Sequence, residues 1–304
     1  MKKFLILAAC LILAAGLVLT ACSKGGKAKS VAILTPYLSS TTTKQMADIL
    51  ETNIKAKGWN PTTVDTKNDF AALASRMEDL VTSKVDAIVI ISADPSQIAD
   101  QIRMADKAGI PVFGCDSGFI DGMTVNATSD NLQMSELITN FLFDHMNNAG
   151  NLVILTHRPH PGILKRTEKL YAILAQKPNI KVVTEQHVNV PNPIENARTA
   201  MENILLANAA DGAVTAVWCA WDEAAIGAVQ AINDAGRKNI IVTGIDGNAQ
   251  AKEYIDKGSA LIGTIEQNFA GMANIVVDQM DQYFKGVKLT RGEKYAPATL
   301  YQKK

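Results

Sequence analysis

Polar and charged residues recur at one kind of place in this sequence, directly after short apolar, β-branched runs. Tyr37 and the hydroxyl run Ser39-Ser40-Thr41-Thr42-Thr43 follow VAIL at 31–34, and Asp116-Ser117-Gly118 follow PVFGC. His157-Arg158 follow NLVILT, with Arg166 farther on in the next helical stretch. Trp221-Asp222 follow AVTAVWCA, Asp246-Gly247-Asn248 follow IIVTGI, and Gln267-Asn268 follow LIGTIE. Carboxylates accept two hydroxyl hydrogen bonds each, a guanidinium donates in a planar fork, and an aromatic face covers the apolar side of a sugar ring. That combination is the chemistry of polyol recognition. The candidate ligand set is therefore Tyr37, Ser40, Thr41, Asp116, Arg158, Arg166, Trp221, Asp222, Asp246 and Gln267. Any one aspartate here reads equally well as a helix cap or loop former. Only their recurrence at successive strand ends points to a shared cleft.

Other chemistries lack their residues. His157 and His160 stand three apart on a proline-containing loop with no cysteine or glutamate in sequence reach, so no metal is expected there. Gly114, Gly118 and Gly122 do not have the spacing of a dinucleotide-binding turn. No P-loop and no G-x-S-x-G elbow occurs, and no cofactor is expected. Two aspartates flanking one bond would make a glycosidase. The alternating pattern of elements argues against that, and no enzyme activity is expected.

That pattern begins at Val31 and alternates short β-branched runs with amphipathic helices. One helix presents Phe70, Leu73, Met77, Leu80 and Val81 at the three-and-four spacing of a buried face. Ala87–Ile91 is apolar throughout, as in a strand covered on both sides. Pro95 opens the next helix, Gly109 closes it, and PVFGC forms another strand. A second series of strands and helices of similar length starts near Asp130 and ends in an extended tail over 295–301. Strand–helix alternation builds parallel sheets with helices on both faces, and two series imply two doubly wound α/β lobes. The expected amino lobe is 30–127 plus 266–292, and the expected carboxyl lobe 128–265 plus 293–304, with three crossings as a hinge. In such sheets ligands sit at the carboxyl ends of the strands, where the candidate residues cluster.

The first residues bound the compartment. Lys2 and Lys3 precede an apolar run, Phe4 to Leu19, which is short for a spanning helix and reads as a secretory signal. It ends in Leu19-Thr20-Ala21-Cys22, which resembles the bacterial lipoprotein signal, with cleavage after residue 21 and acylation of Cys22. Residues 22–30 read as a flexible tether, so the chain is expected to be exported and held to the cell envelope by lipid alone. The 304 residues carry 30 Lys and Arg against 30 Asp and Glu, with no basic stripe for nucleic acid. Cys115 and Cys219 end strand-like runs in different lobes and are expected as buried free thiols.

Several segments together carry a family resemblance. They are Gly109-Ile110-Pro111-Val112 leading to Asp116, Ala127-Thr128-Ser129-Asp130-Asn131, Asp222-Glu223-Ala224-Ala225-Ile226-Gly227, Gly244-Ile245-Asp246-Gly247 and Gly263-Thr264-Ile265-Glu266-Gln267. In order and spacing the chain resembles the periplasmic sugar-binding proteins of the ribose and galactose type, over essentially all of the sequence after the leader. The resemblance implies a type I periplasmic-binding fold, and sugar contacts at Asp116, Arg166, Asp222, Asp246 and Gln267. It also implies a monomer that delivers its ligand to an ABC permease served by a cytoplasmic ATPase. A sensory subunit, or a receptor for a nucleoside or a furanose signal, fits the same pattern. The chain departs from ribose binders where two phenylalanines follow the first strand, here Ser40 and Thr41, and Trp221 replaces the usual asparagine. Trp221 and Tyr37 are expected to provide the stacking surface.

Overall fold

The computed structural model describes residues 27–304, so the expected leader, the expected lipidation at Cys22 and most of the expected tether lie outside the described residues. Chain order is β1 (Ser30–Thr35), α1 (Thr41–Ala56), β2 (Asn60–Asp65), α2 (Phe70–Thr82), β3 (Ala87–Ile91), α3 (Ala99–Lys107), β4 (Val112–Cys115) and β5 (Val125–Thr128). There follow α4 (Asn131–His145), β6 (Gly150–Thr156), α5 (Pro161–Leu174), β7 (Ile180–His187), α6 (Pro193–Ala207), β8 (Ala216–Cys219) and α7 (Asp222–Asp234). The chain ends with β9 (Ile241–Asp246), α8 (Ala249–Asp256), β10 (Leu261–Glu266), α9 (Phe269–Phe284), β11 (Gly292–Tyr295) and β12 (Thr299–Gln302).

Among the described residues two six-stranded sheets result, β11-β5-β4-β3-β1-β2 in one lobe and β12-β10-β9-β8-β6-β7 in the other. All pairings are parallel except β12 against β10. The alternation within β1 and β3 explains the layering. Val31, Ile33, Val89 and Ile91 pack with α1 and α9 on one face, through Met46, Leu50, Met272 and Val276. Leu34, Ile88 and Ile90 pack with α2 and α3 on the other, through Leu73, Met77 and Ile102. Strands covered on both faces are uniformly apolar, yet each side chain still belongs to one layer. The second lobe has a single core centred on Trp218, whose indole N–H donates to Thr139 Oγ1 at 3.1 Å. Cys115 and Cys219 are buried free thiols, one in each lobe.

The sheet pairings move the expected lobe boundaries. Gly292–Tyr295 runs parallel to β5, so residues 293–295 stand in the first lobe and the last crossing falls between Tyr295 and Thr299. Thr128 ends β5 in the first sheet, and Glu266 ends β10 in the second. The tail read as one extended segment is thus two short strands in different sheets. Its alternation is the same in either lobe, and only pairing with distant strands decides where it breaks.

Candidate functional site

The carboxyl ends of the two sheets face each other across a cavity. Tyr37, Ser40, Thr42, Thr43, Ser92 and Asp116 line it from the first lobe. His157, His160, Ile163, Arg166, Val190, Trp221 and Asp246 line it from the second. About 50 Å³ is open to the centre of a water molecule. One water needs roughly 10–15 Å³ on that measure, so the space suits one compact small molecule.

Arg166 is the pivot of the second lobe's wall. It projects from α5 with only 2% of its surface exposed. Its Nε donates to Asn131 Oδ1 at 2.7 Å and its Nη1 to the Ala220 carbonyl at 2.9 Å. Nη1 stands 3.9 Å from Asp246 Oδ1, and Nη2 is buried without a partner among the described residues. Asp246 ends β9 at φ 144°, and its Oδ1 accepts from Gln267 Nε2 at 2.9 Å. Burial holds the Asp246 carboxyl well above the usual carboxylate range, with Asp222 adding to the shift and Arg166 opposing it. Asp116 comes from the first lobe in the left-handed region, φ 50°, and accepts from Thr128 Oγ1 at 3.3 Å.

Aromatic edges complete the wall. Tyr37 meets Phe70 and His157 edge-on, with ring centroids 6.1 and 5.7 Å away, and Trp221 meets His157 at 6.4 Å. The Tyr37 hydroxyl is buried without a partner among the described residues, and burial pushes its pKa up to about 12, so it keeps its proton.

Of the ten candidates, Tyr37, Ser40, Asp116, Arg166, Trp221 and Asp246 line the cavity. The other four have different positions. Asp222 is wholly buried behind the wall, where its carboxylate accepts from Thr264 Oγ1 at 2.6 Å and from the Asn248 N–H at 2.8 Å. It braces α7 against β10 and the β9–α8 turn. Gly244 makes room for it, since a Cβ there would lie 2.3 Å from Asp222 Oδ1. Burial raises the Asp222 pKa to about 6, against the hydrogen bonds that lower it. Gln267 does not line the cavity but holds Asp246, while its own Oε1 is buried without a partner among the described residues.

Arg158 faces away. Its Nε and Nη2 donate to the two oxygens of Glu185 at 2.6 and 2.8 Å, and Tyr171 donates to the same carboxylate. Successive residues leaving β6 point to opposite sides, so the inward position belongs to His157 instead. That alternation was present in the sequence as a signal for His157 over its neighbour. Similarly, His160 precedes a proline at a helix start, a position that marks a cap.

Thr41 is engaged across the lobes. Its N–H and Oγ1 donate to Glu223 Oε1 at 3.1 and 3.0 Å, and Ser40 Oγ donates to Glu223 Oε2 at 2.8 Å. Ser40 is the N-cap of α1 but makes no cap bond of its own, so a carboxylate from the opposite lobe serves the helix terminus. No feature of the sequence pairs residue 223 with residues 40 and 41. Glu223→Ala removes all three acceptor contacts, which exist only with the lobes together. Ligand affinity is expected to fall by about 1–3 kcal/mol, read by calorimetry, with melting of the ligand-free chain little changed. Unchanged affinity would mean that these bonds do not favour closure.

The family described as periplasmic binding protein domain matches residues 31–288. The ribose import binding protein of Bacillus subtilis is 30% identical over 244 residues, 80% of this chain and 77% of that protein. A xylitol-binding protein of Mycolicibacterium smegmatis is 27% identical over 266 residues, 84% of this chain and 73% of its own. Among solved structures, an ABC transporter solute-binding protein of Agrobacterium vitis with bound allitol superposes with a TM-score of 0.86 at 26% identity. That match covers 91% of this chain and 96% of the other.

Proposed function

The chain belongs to the periplasmic binding protein domain family, and on that premise we propose that it captures one neutral monosaccharide or polyol between its lobes for an ABC-type uptake system. Members of this family bind solutes and do not transform them. The observation that carries the ligand class is the buried Arg166–Asp246 pair beside a small cavity whose wall mixes donors and acceptors from both lobes. A hydroxyl both donates and accepts, so a polyol satisfies such a wall at many points. The relatives point the same way through ribose, xylitol and allitol.

A thermal-shift panel of pentoses, hexoses, alditols, inositols and nucleosides tests this reading. Ligand at a hundred times its Kd stabilises the folded chain by about 2.7 kcal/mol. An alditol or aldose is expected to give the largest rise in Tm. No shift with any polyol, or a larger one with nucleosides, sinks the reading. Small-angle scattering with the best ligand is expected to show a smaller radius of gyration, because closure about the crossings at 128–131, 266–269 and 295–299 brings the lobes together.

Delivery extends the same proposal. The protein is exported, acts as a monomer, and is held to the membrane by acyl chains on Cys22, from where its closed form presents both lobes to a permease coupled to an ATPase. The support is the apolar leader ending in Leu19-Thr20-Ala21-Cys22. Cys22→Ala is expected to abolish incorporation of labelled fatty acid and to release the chain or leave it unprocessed. Labelling of the variant, or none of the wild type, refutes the anchor.

A further inference from the structure

We propose that His157 and His160 contact the ligand directly, as a fixed acceptor and a fixed donor that together select hydroxyl groups; this rests on the reading of the cleft as a polyol site. The ring nitrogens that face the protein set the two tautomers. His157 Nδ1 lies 3.0 Å from the Val188 carbonyl oxygen, which can only accept, so Nδ1 carries the proton. Nε2 of His157 is then a bare acceptor, and it is buried beside the cavity without a partner among the described residues. His160 has the opposite arrangement. Its Nδ1 accepts from the N–H groups of Gly162 and Ile163 at 3.1 and 3.3 Å, as the N-cap of α5. The proton therefore sits on Nε2, which lines the cavity 3.8 Å from Asp116 Oδ2, beyond hydrogen-bond reach.

Both rings stay neutral at physiological pH, since burial pushes each pKa down to about 4. His157 is kept oriented by ring contacts with Tyr37, Trp221 and His187, and His160 by its two cap bonds. A carboxylate has no proton to give His157, and an ammonium has no lone pair for His160. A hydroxyl serves either. The pair thus selects neutral polyols over sugar acids and amino sugars, a discrimination by leaving a buried polar group unpaired.

Calorimetry with D-ribose, xylitol, allitol and D-ribonate tests the pair. The wild type is expected to bind at least one of the three neutral compounds, and ribonate roughly tenfold more weakly or worse. His160→Asn keeps an acceptor for the Gly162 and Ile163 N–H groups while withdrawing the donor from the cavity. His157→Phe keeps a ring and loses the acceptor. Each is expected to weaken the neutral ligand roughly tenfold or more. Retention of wild-type affinity by either variant overturns the proposal and leaves the polyol reading standing. A wild type that binds none of the three neutral compounds overturns the proposal, and the polyol reading falls with it when the wider panel also gives no shift. Long-range proton–nitrogen spectra of histidine-labelled wild type need no variant to fold. They are expected to show the proton on Nδ1 of His157 and on Nε2 of His160, with both Nε2 signals moving on addition of the bound compound. Reversed tautomers or unmoved Nε2 signals also overturn the proposal.

Discussion

Arg166→Ala is expected to lower stability by about 3–5 kcal/mol and to abolish measurable ligand binding, because it breaks a buried ion pair from one side. The substitution leaves Asn131 Oδ1 and the Ala220 carbonyl without their donor and Asp246 without its cation. A loss of that size is a large part of the 5–15 kcal/mol typical of a folded domain. The pH dependence has a definite sign. Burial already raises the folded-state pKa of Asp246, and removal of Arg166, which opposes the shift, raises it further. A carboxyl with a raised folded-state pKa costs nothing below its unfolded pKa, costs more as pH rises from there to the folded one, and reaches its full cost above that. The deficit of Arg166→Ala against wild type is therefore expected to shrink on going from pH 7 to about pH 4. Melting curves at the two pH values, with calorimetry at neutral pH, check both parts. A variant with wild-type stability and affinity would remove Arg166 from the site.

Asp246→Ala and Asp222→Ala are expected to fail in different ways. Asp246 lines the cavity, and its loss removes an acceptor from ligand hydroxyls and from Arg166. One unsatisfied buried group costs about 1–3 kcal/mol, or roughly ten- to hundredfold in Kd. Asp222 sits behind the wall, and its loss strands Thr264 Oγ1 and the Asn248 N–H in the interior. Stability is expected to fall by about 2–4 kcal/mol, with affinity changed far less. Titration of each variant and melting of each ligand-free chain separate the two. Wild-type affinity in Asp246→Ala, or a large affinity loss with unchanged melting in Asp222→Ala, would reverse the assignments.

Several features of this protein were legible from local chemistry alone. The apolar runs such as Ala87–Ile91 identified strands buried on both faces, because helices over both sides of a parallel sheet remove its side chains from water and favour apolar ones. Strand–helix alternation then implied doubly wound sheets, and the carboxyl ends of their strands are where backbone geometry leaves room for a ligand. Tyr37, Ser40, Asp116, Arg166, Trp221 and Asp246 follow from that rule and do meet at one cavity.

What a strand-end residue touches was decided only in three dimensions. Asp222 and Asp246 follow equally apolar runs, yet a Cβ missing at Gly244 lets one fold inward to Thr264 while the other reaches Arg166. Arg158 and His157 are neighbours on one loop, and a single step of strand alternation with a carboxylate at Glu185 sends the arginine outward. Glu223 meets Ser40 and Thr41 across some 180 positions of chain. Gly292–Tyr295 joined the first sheet through β5 rather than the second. By itself the sequence determined which faces must be buried, because burial depends on side-chain type and period. The tertiary structure decided which polar groups find partners and which remain for a ligand. Hydrogen-bond pairing depends on the distance between residues far apart in the chain, and no local pattern encodes that distance.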